Sequence, residues 1–181
     1  MPEIDFETLA AAHLESAYNL ARMLVHDPAL ADDVVQDAML RALTYFTGFR
    51  GGNARAWVLQ IVRNVALTRL KGNTRSKVVP LDATHGVDAE REGEAEALSI
   101  PTDARHEPEA TLMREDDERL VQRLLAGLPV KLRECVVLRE IEELSYKEIA
   151  RIVDAPIGTV MSRLWRGRKL LADAAGNLEP T

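Results

Sequence analysis

The sequence predicts an all-α protein with two small helical domains joined by a flexible acidic linker, the C-terminal one carrying a helix-turn-helix. Three observations predict it. Aromatic residues are 4% of the chain, and no run of alternating Val, Ile or Thr reads as a strand. Apolar residues keep helical spacing from residue 6 to residue 71 and again from residue 110. Between these stretches, Gly, Pro, Asp, Glu and Thr dominate, and Pro80, Pro101 and Pro108 interrupt any helix, which makes the segment extended or mobile by composition. The divisions are therefore 1–71, 72–110 and 111–181.

The first helix covers residues 6–25, with Leu9, Ala12, Leu14, Tyr18, Ala21 and Val25 among its apolar positions. His26-Asp27-Pro28 ends it, because the residue before proline avoids helix. A second helix runs from about Ala29 to Phe46. Asp32, Asp33, Gln36, Asp37 and Arg41 form one polar face, and Val34, Val35, Ala38, Ala42 and Tyr45 are placed to face a core. That acidic face is either plain solvation or a protein-docking surface. Thr47 to Arg55 holds three glycines within five residues and reads as a loop. Trp57 opens a third helix, to about Lys71, with Gln60, Arg63, Asn64, Thr68 and Arg69 polar and Val58, Ile61, Val62, Val65, Ala66 and Leu70 apolar. Tyr45, Phe46, Phe49 and Trp57 crowd this loop. Aromatics beside cations stack unpaired bases while Arg and Lys hold the backbone; they also serve as core residues of small domains. Core is the preferred reading for Trp57, and both stay open for Phe49.

From Ala110 the spacing of Leu112, Leu120, Leu124, Leu125 and Leu128 is helical until Pro129 breaks it. Val130 to Glu142 is another helix, with Leu132, Val136, Leu138 and Ile141 inward. Ser145 followed by Glu148 is a capping box that starts a helix with apolar Ile149, Ala150, Ile152 and Val153. Asp154-Ala155 is a turn, and Pro156 suits the first position of the next helix. At about 100° per residue, Val160, Leu171, Leu164, Ile157 and Met161 share one buried stripe, and Lys169, Ser162, Arg166, Thr159 and Arg163 face the other way. From Ile157 to Leu171 there are four basic residues and no acid. A helix lying in a major groove needs that charge for phosphates, and Arg, Ser and Thr to reach base edges. A solvated basic face is the bland alternative. The short helix, short turn and acid-free second helix together favour DNA. The tail, Asn177 to Thr181, is expected to fray.

The net charge of -6 argues against nucleic acid until it is mapped. Residues 1–37 contain eight acids and one base, and residues 38–81 contain eight bases and no acid. Residues 82–118 contain thirteen acids and three bases, and residues 119–181 contain eleven bases and eight acids. Two basic zones therefore flank an acidic connector, and phosphate binding depends on local charge. The N-terminus lacks the charge and apolar core of a signal peptide, and no apolar run spans a membrane, so membrane insertion is not expected. A single cysteine, Cys135, fits a reducing cytoplasm and a small core residue. His13, His26, His85 and His106 are scattered, and neither metal-ligand spacing, a phosphate loop nor a nucleophile motif appears. No catalytic residue, metal or cofactor is expected.

Three blocks, in order, carry a resemblance: Ala31 to Asp37; Phe49-Arg50-Gly51 through Trp57 and Arg63-Asn64; and Leu144 to Ala150 with Gly158 to Leu164. The chain resembles the extracytoplasmic-function class of bacterial sigma factors, the promoter-recognition subunits of RNA polymerase. The resemblance covers nearly the whole length. It implies that Asp32, Asp33, Gln36, Asp37 and Arg41 dock on the clamp helices of the polymerase β′ subunit. It implies that the Phe49–Arg55 loop, with Arg50 and Arg55, captures a flipped base of the −10 element, Asn53 being the best pocket residue. Gln60, Arg63, Asn64 and Arg69 match the −10 helix; Thr159, Ser162, Arg163, Arg166 and Lys169 match the −35 helix. The acidic linker resembles the segment threaded through polymerase toward its active centre, past the β subunit. One departure is the loop sequence Gly51-Gly52-Asn53-Ala54, where many members are bulkier or more polar, so base preference at −10 is not carried over. Such factors serve stress or environmental responses and usually have a cognate anti-sigma factor covering these surfaces. The rival readings are a stand-alone helix-turn-helix regulator, which leaves the acid-free zone 38–81 without a role, and an adaptor bound only to protein.

Overall fold

A computed structural model describes residues 5–76 and 109–176, all helix and turn, with no strand among the described residues. Helix α1 (Phe6–Val25) starts under the Asp5 carboxylate, which accepts the Thr8 amide at 2.7 Å. It stops at His26, whose left-handed backbone (φ 58°) returns its N–H to the Arg22 carbonyl at 3.0 Å. Asp27 then caps α2 (Pro28–Tyr45), accepting from the Leu30 amide at 3.1 Å, and Pro28 sits in the first turn, where no amide is needed. Three residues thus close one helix and open the next.

A 3₁₀ turn (Phe46–Gly48) leads into a loop with positive φ at Gly51 (86°) and Gly52 (104°), which side-chain-bearing residues adopt only with strain. Helix α3 spans Ala54–Ser76. It begins at Ala54 rather than Trp57 because Asn53 caps it, accepting the Ala56 amide at 3.0 Å. It also runs through Ser76, past the end expected at Lys71. Most of the expected linker, residues 77–108, and the tail expected to fray lie outside the described residues.

The C-terminal half comprises α4 (Glu109–Ala126), α5 (Val130–Val136), α6 (Tyr146–Val153) and α7 (Ile157–Gly176). The single helix expected over Val130–Glu142 changes register after Val136. A π turn covers Val137–Ile141, and the Glu142 amide reaches back to the Val137 carbonyl at 3.1 Å. The extra residue in that turn rotates the side chains beyond it. Ile141, expected inward, is 37% exposed, and Glu142 is 2% exposed. The capping box at α6 forms as expected: Ser145 Oγ accepts the Glu148 amide at 3.3 Å, and the Glu148 carboxylate accepts the Ser145 amide at 2.8 Å. Asp154 ends α6 in the left-handed region. Pro156 lies just before α7 rather than inside it, its carbonyl accepting the Val160 amide at 3.1 Å.

Helices α1, α2 and α3 pack on one another, α5 and α6 pack on α7, and α3 packs on α6, so the two halves share one continuous buried cluster. Leu20, Leu24, Val34, Leu59 and Val62 are its N-terminal centre, and Leu138, Ile149, Ile152 and Leu164 its C-terminal centre. Leu59 was not among the expected core positions, whereas Leu14 and Tyr45 were and stand exposed. Helices α5 and α7 approach so closely that a Cβ at Gly167 would sit 2.6 Å from Val136 Cγ2. Cys135 is buried among them, and desolvation pushes its thiol up to about 11, the property of a core residue. No described helix is long and apolar enough to cross a membrane.

Arg133 joins the halves from within. It is 7% exposed and donates to the carbonyls of Leu24 at 2.9 Å, Leu125 at 2.8 Å, Ala126 at 3.0 Å and Leu128 at 2.8 Å. It thereby serves the carboxyl ends of α1 and α4 together, where helix dipoles favour a cation. Burial lowers its pKa to about 10, still charged at neutral pH.

These helix ends can be tested at Arg133 and at His26. Replacing Arg133 by Met keeps the volume and removes the donors, and should cost about 2–4 kcal/mol in urea unfolding. A change under half that would mean water replaces the guanidinium. His26 has both ring nitrogens buried without partners, and burial, then the Arg133 and Arg22 charges, lower its pKa from 6.5 to about 4. Its neutral form is the folded one, so its contribution is whole above pH 6.5 and is lost as pH falls from there toward 4. His26→Asn, which tolerates left-handed backbone, should flatten the decline in Tm across that window. An unchanged slope would assign the decline to other groups.

Candidate nucleic-acid interface

The α7 surface is built by what its inner side must avoid. Val160, Leu164 and Gly167 are buried, so the buried sector centres nearer Gly167 than the apolar spacing implied. Ile157 (45% exposed) and Met161 (52%) fall outside that stripe, to which they had been assigned. Ser162, Arg166 and Lys169 are exposed, as a groove-facing role requires. Thr159 and Arg163 are half-buried. Trp165, 64% exposed with Lys169 Nζ 5.4 Å from its ring, lies between the basic residues, and periodicity alone did not single it out. The signal available was one large aromatic inside an acid-free helix.

The loop before α3 is held by its own aromatics. Phe49 and Trp57 approach to 4.8 Å between ring centroids, Phe46 and Phe49 to 6.4 Å, and Phe6 meets Phe46 edge-on at 5.6 Å. Phe49 and Trp57 are each half-buried, so the stack is part core and part surface. Arg50 is exposed on the loop, and Asn53, also exposed, has its side chain engaged by the Ala56 amide and by Glu148.

The polar side of α3 meets the C-terminal half. Arg63 forms a bidentate pair with Glu134, Nε–Oε2 at 2.8 Å and Nη2–Oε1 at 3.1 Å, and reaches the Asn64 side chain at 3.2 Å. Glu134 is 1% exposed, and its Oε1 also lies 3.6 Å from Arg163 Nη1 on α7. One buried carboxylate therefore holds an arginine from each helix assigned to DNA. Arg55 donates to the buried Glu142 and, at 3.3 Å, to Ser16 Oγ. The Asn53 amide donates to Glu148. Gln60 Nε2 donates to the Arg151 carbonyl at 3.4 Å. Asn64 and Arg69 remain exposed on α3, with Arg69 hydrogen-bonded to Asp37, which raises the arginine's pKa. The residues assigned to −10 DNA thus separate into Asn53, Arg55, Gln60 and Arg63, engaged by the C-terminal half, and Phe49, Arg50, Asn64 and Arg69, which are not.

On α2, Asp32, Asp33, Gln36 and Arg41 are exposed, and Asp37 is half-buried beside Arg69. Leu40 (64% exposed) and Leu43 (52%) stand on the same helix without cover. This mixture of acids and bare leucines is what a docking face needs, since apolar contact supplies most of the affinity. At about 100° per residue both leucines fall on the polar side of α2 with Asp33 and Gln36, away from the buried Val34, Ala38 and Ala42, a signal that the assignment of the face to its polar residues alone left unused. Among the described residues, no group of three His, Cys, Asp or Glu is placed to hold a metal ion.

Known proteins share this architecture. Residues 9–76 match the model of sigma-70 region 2, and residues 118–171 match that of sigma-70 region 4. An RNA polymerase sigma-H factor of Pseudomonas aeruginosa is 33% identical over 171 residues, 93% of this chain and 85% of that protein. An ECF RNA polymerase sigma-E factor of Escherichia coli K12 is 35% identical over 140 residues, 77% of this chain and 70% of that protein. In solved structures, the fold is similar to the sigma factor RpoE of Bartonella quintana, solved with the anti-sigma factor NepR (TM-score 0.71, 23% identity, 97% of this chain and 99% of that one). It is also similar to CnrH, solved with the cytosolic domain of CnrY (TM-score 0.66, 22% identity, 96% and 89%).

The buried carboxylate is open to direct measurement. Glu134→Ala leaves Arg63 and Arg163 partly buried without a counter-charge and should cost about 3–5 kcal/mol in denaturant unfolding. Glu140→Ala, which removes an exposed pair with Arg168, should cost under about 1 kcal/mol. Equal losses would show that Glu134 is no more demanding than a surface acid.

Proposed function

This chain belongs to the extracytoplasmic-function class of sigma factors, which recognise promoters for RNA polymerase, and on that premise we propose which of its residues read the promoter and which dock the enzyme. Such factors are not enzymes; the chemistry of transcription belongs to polymerase. The observation that carries the proposal is the order of two sigma regions on one chain, 9–76 and 118–171.

Helix α2 docks on the β′ clamp helices through Asp32, Asp33, Gln36, Asp37 and Arg41, with Leu40 and Leu43 giving that face its apolar contact. The Phe49–Arg55 loop takes a flipped −10 base. Unstacking a base costs about a few kcal/mol, which stacking on an aromatic and hydrogen bonds to Asn53 must offset. Arg55, Gln60, Arg63, Asn64 and Arg69 hold the opened strand beside it. Helix α7 reads intact duplex at −35 through Ser162, Arg166 and Lys169, with Thr159 and Arg163 flanking and Trp165 offering a flat apolar surface to a thymine methyl. Each module is small and binds weakly alone; joined on one polymerase, they gain from effective concentration. The protein works in the cytoplasm, where polymerase and promoter DNA are, in a stress or environmental response, and an anti-sigma factor restrains it by covering these faces.

Transcription in vitro with core polymerase and a promoter library tests this. Specific initiation is expected from a defined promoter set. Ser162→Ala with Arg166→Ala should lower use of those promoters about tenfold or more, since one good base contact is worth about 1–3 kcal/mol, while binding to core stays unchanged. Initiation that ignores the −35 sequence in both proteins would overturn the α7 assignment.

A further inference from the structure

Helix α7 carries more bare apolar surface than a single reading residue accounts for. Met161 is 52% exposed and Trp165 64% exposed. A lone exposed apolar side chain is ordinary, but these two line one open cleft together with the half-buried Tyr146 and the buried Leu164. The cleft is completed by Arg168, held by the Glu140 carboxylate at 2.8 Å, and by Lys169, whose Nζ lies 5.4 Å from the Trp165 ring. No acid is among the described residues that line it.

This mixture points to a duplex groove. At about 100° per residue, Trp165 sits between Met161 on one side and Lys169 and Ser162 on the other. Cations on one flank answer phosphates, and the apolar pair is left for the groove floor. Both residues also fall in the first half of α7, the part of a recognition helix that meets base edges. In the major groove the apolar feature that tells one base pair from another is the C5-methyl group of thymine. Met161 has no hydrogen to donate, and its thioether is a poor acceptor, so a methyl group is what it can recognise. We propose that Met161 and Trp165 together form a receptor for pyrimidine C5-methyl groups, with Met161 as a further specificity-determining residue, a reading that rests on the placement of α7 at −35.

The spacing suits two such groups. Met161 and Trp165 are four residues apart, about 6 Å along the helix axis, close to two base-pair steps of about 3.4 Å each. The flexible methionine adapts to a methyl group on either strand, while the indole offers a fixed plane. Recognition of this kind has a chemical consequence. Uracil presents the same hydrogen-bonding edge as thymine and binds more weakly, and 5-methylcytosine binds more tightly than cytosine. Cytosine-5 methylation of the −35 element therefore changes promoter use directly.

The test uses the protein bound to core polymerase. The −35 element is selected from a promoter library, and uracil then replaces thymine one position at a time on each strand. At two positions the holoenzyme should bind about fourfold more weakly, the worth of one buried methyl group. In Met161→Ala one of these two losses should vanish, and in Met161→Leu it should remain. Trp165→Ala should remove the other. A cytosine placed at the position sensitive to Met161 should gain about fourfold on C5 methylation in the wild type and nothing in Met161→Ala. Both side chains are exposed, so the unfolding midpoint of each variant should stay in place, which separates reading from folding. Equal binding of uracil and thymine at every −35 position overturns the receptor, as does a selected element without thymine on either strand. A uracil loss that Met161→Ala leaves unchanged overturns the role of Met161. Weaker binding of Met161→Ala to core polymerase, with thymine–uracil discrimination intact, assigns the patch to a protein and overturns it equally. Initiation that ignores the −35 sequence altogether is a different result, because it removes α7 from the −35 element.

Discussion

The arrangement of this protein depends on where the Glu134 carboxylate finds its counter-charge. Inside a protein an unpaired carboxylate costs several kcal/mol, so Glu134, almost without exposure, must be met. Arg63 from α3 and Arg163 from α7 meet it from two sides. A buried ion pair adds little net stability over an apolar substitute, because desolvation consumes most of the Coulomb gain. What it adds is geometry: α3, α5 and α7 agree on one register. Its neighbour Arg133 points elsewhere and gathers the carboxyl ends of α1 and α4. Two adjacent charged residues on α5 therefore fix the two halves of the chain through different contacts.

That geometry changes the meaning of the charge pattern. Residues 38–81 contain no acid, and as a string they form a positive zone ready for phosphate. In the folded chain, acids from beyond residue 130 fill part of it. Local charge in space is what a DNA strand meets, and in the folded chain carboxylates of the C-terminal half supply part of it. The −35 helix is less affected, since Ser162, Arg166 and Lys169 remain on its outer surface.

The features legible in the sequence were those with local causes. The Ser145 capping box was read from residues three apart and forms as expected; Asp5 and Asp27 cap helices by the same local bond, but the structure is what identified them. Pro28 and Pro129 mark boundaries for reasons internal to their rings. The all-α class, the helix-turn-helix and the order of sigma-like blocks were all readable from such signals, and membership in the family agrees with the last. Errors arose where a local rule met a neighbour from afar. The wheel drawn on α7 buried Ile157 and Met161, but the close approach of Val136 at Gly167 turned the helix and left them out. Asn53 was read as a base-pocket residue, and it also caps α3.

Glu134 marks the boundary between the two kinds of information. Nothing within a few residues of it signals that it is buried, because its partner Arg63 lies 71 positions away. The π turn after Val136 likewise has no sequence signature, yet it carries Glu142 inward to Arg55, 87 positions away. Hydrophobic period, capping and charge are properties of neighbouring residues, so the chain alone specified its helices, its class and its family. Which cations are paired, and which half covers which, are set by desolvated contacts between distant segments, and these exist only once α3 and α5 are brought side by side.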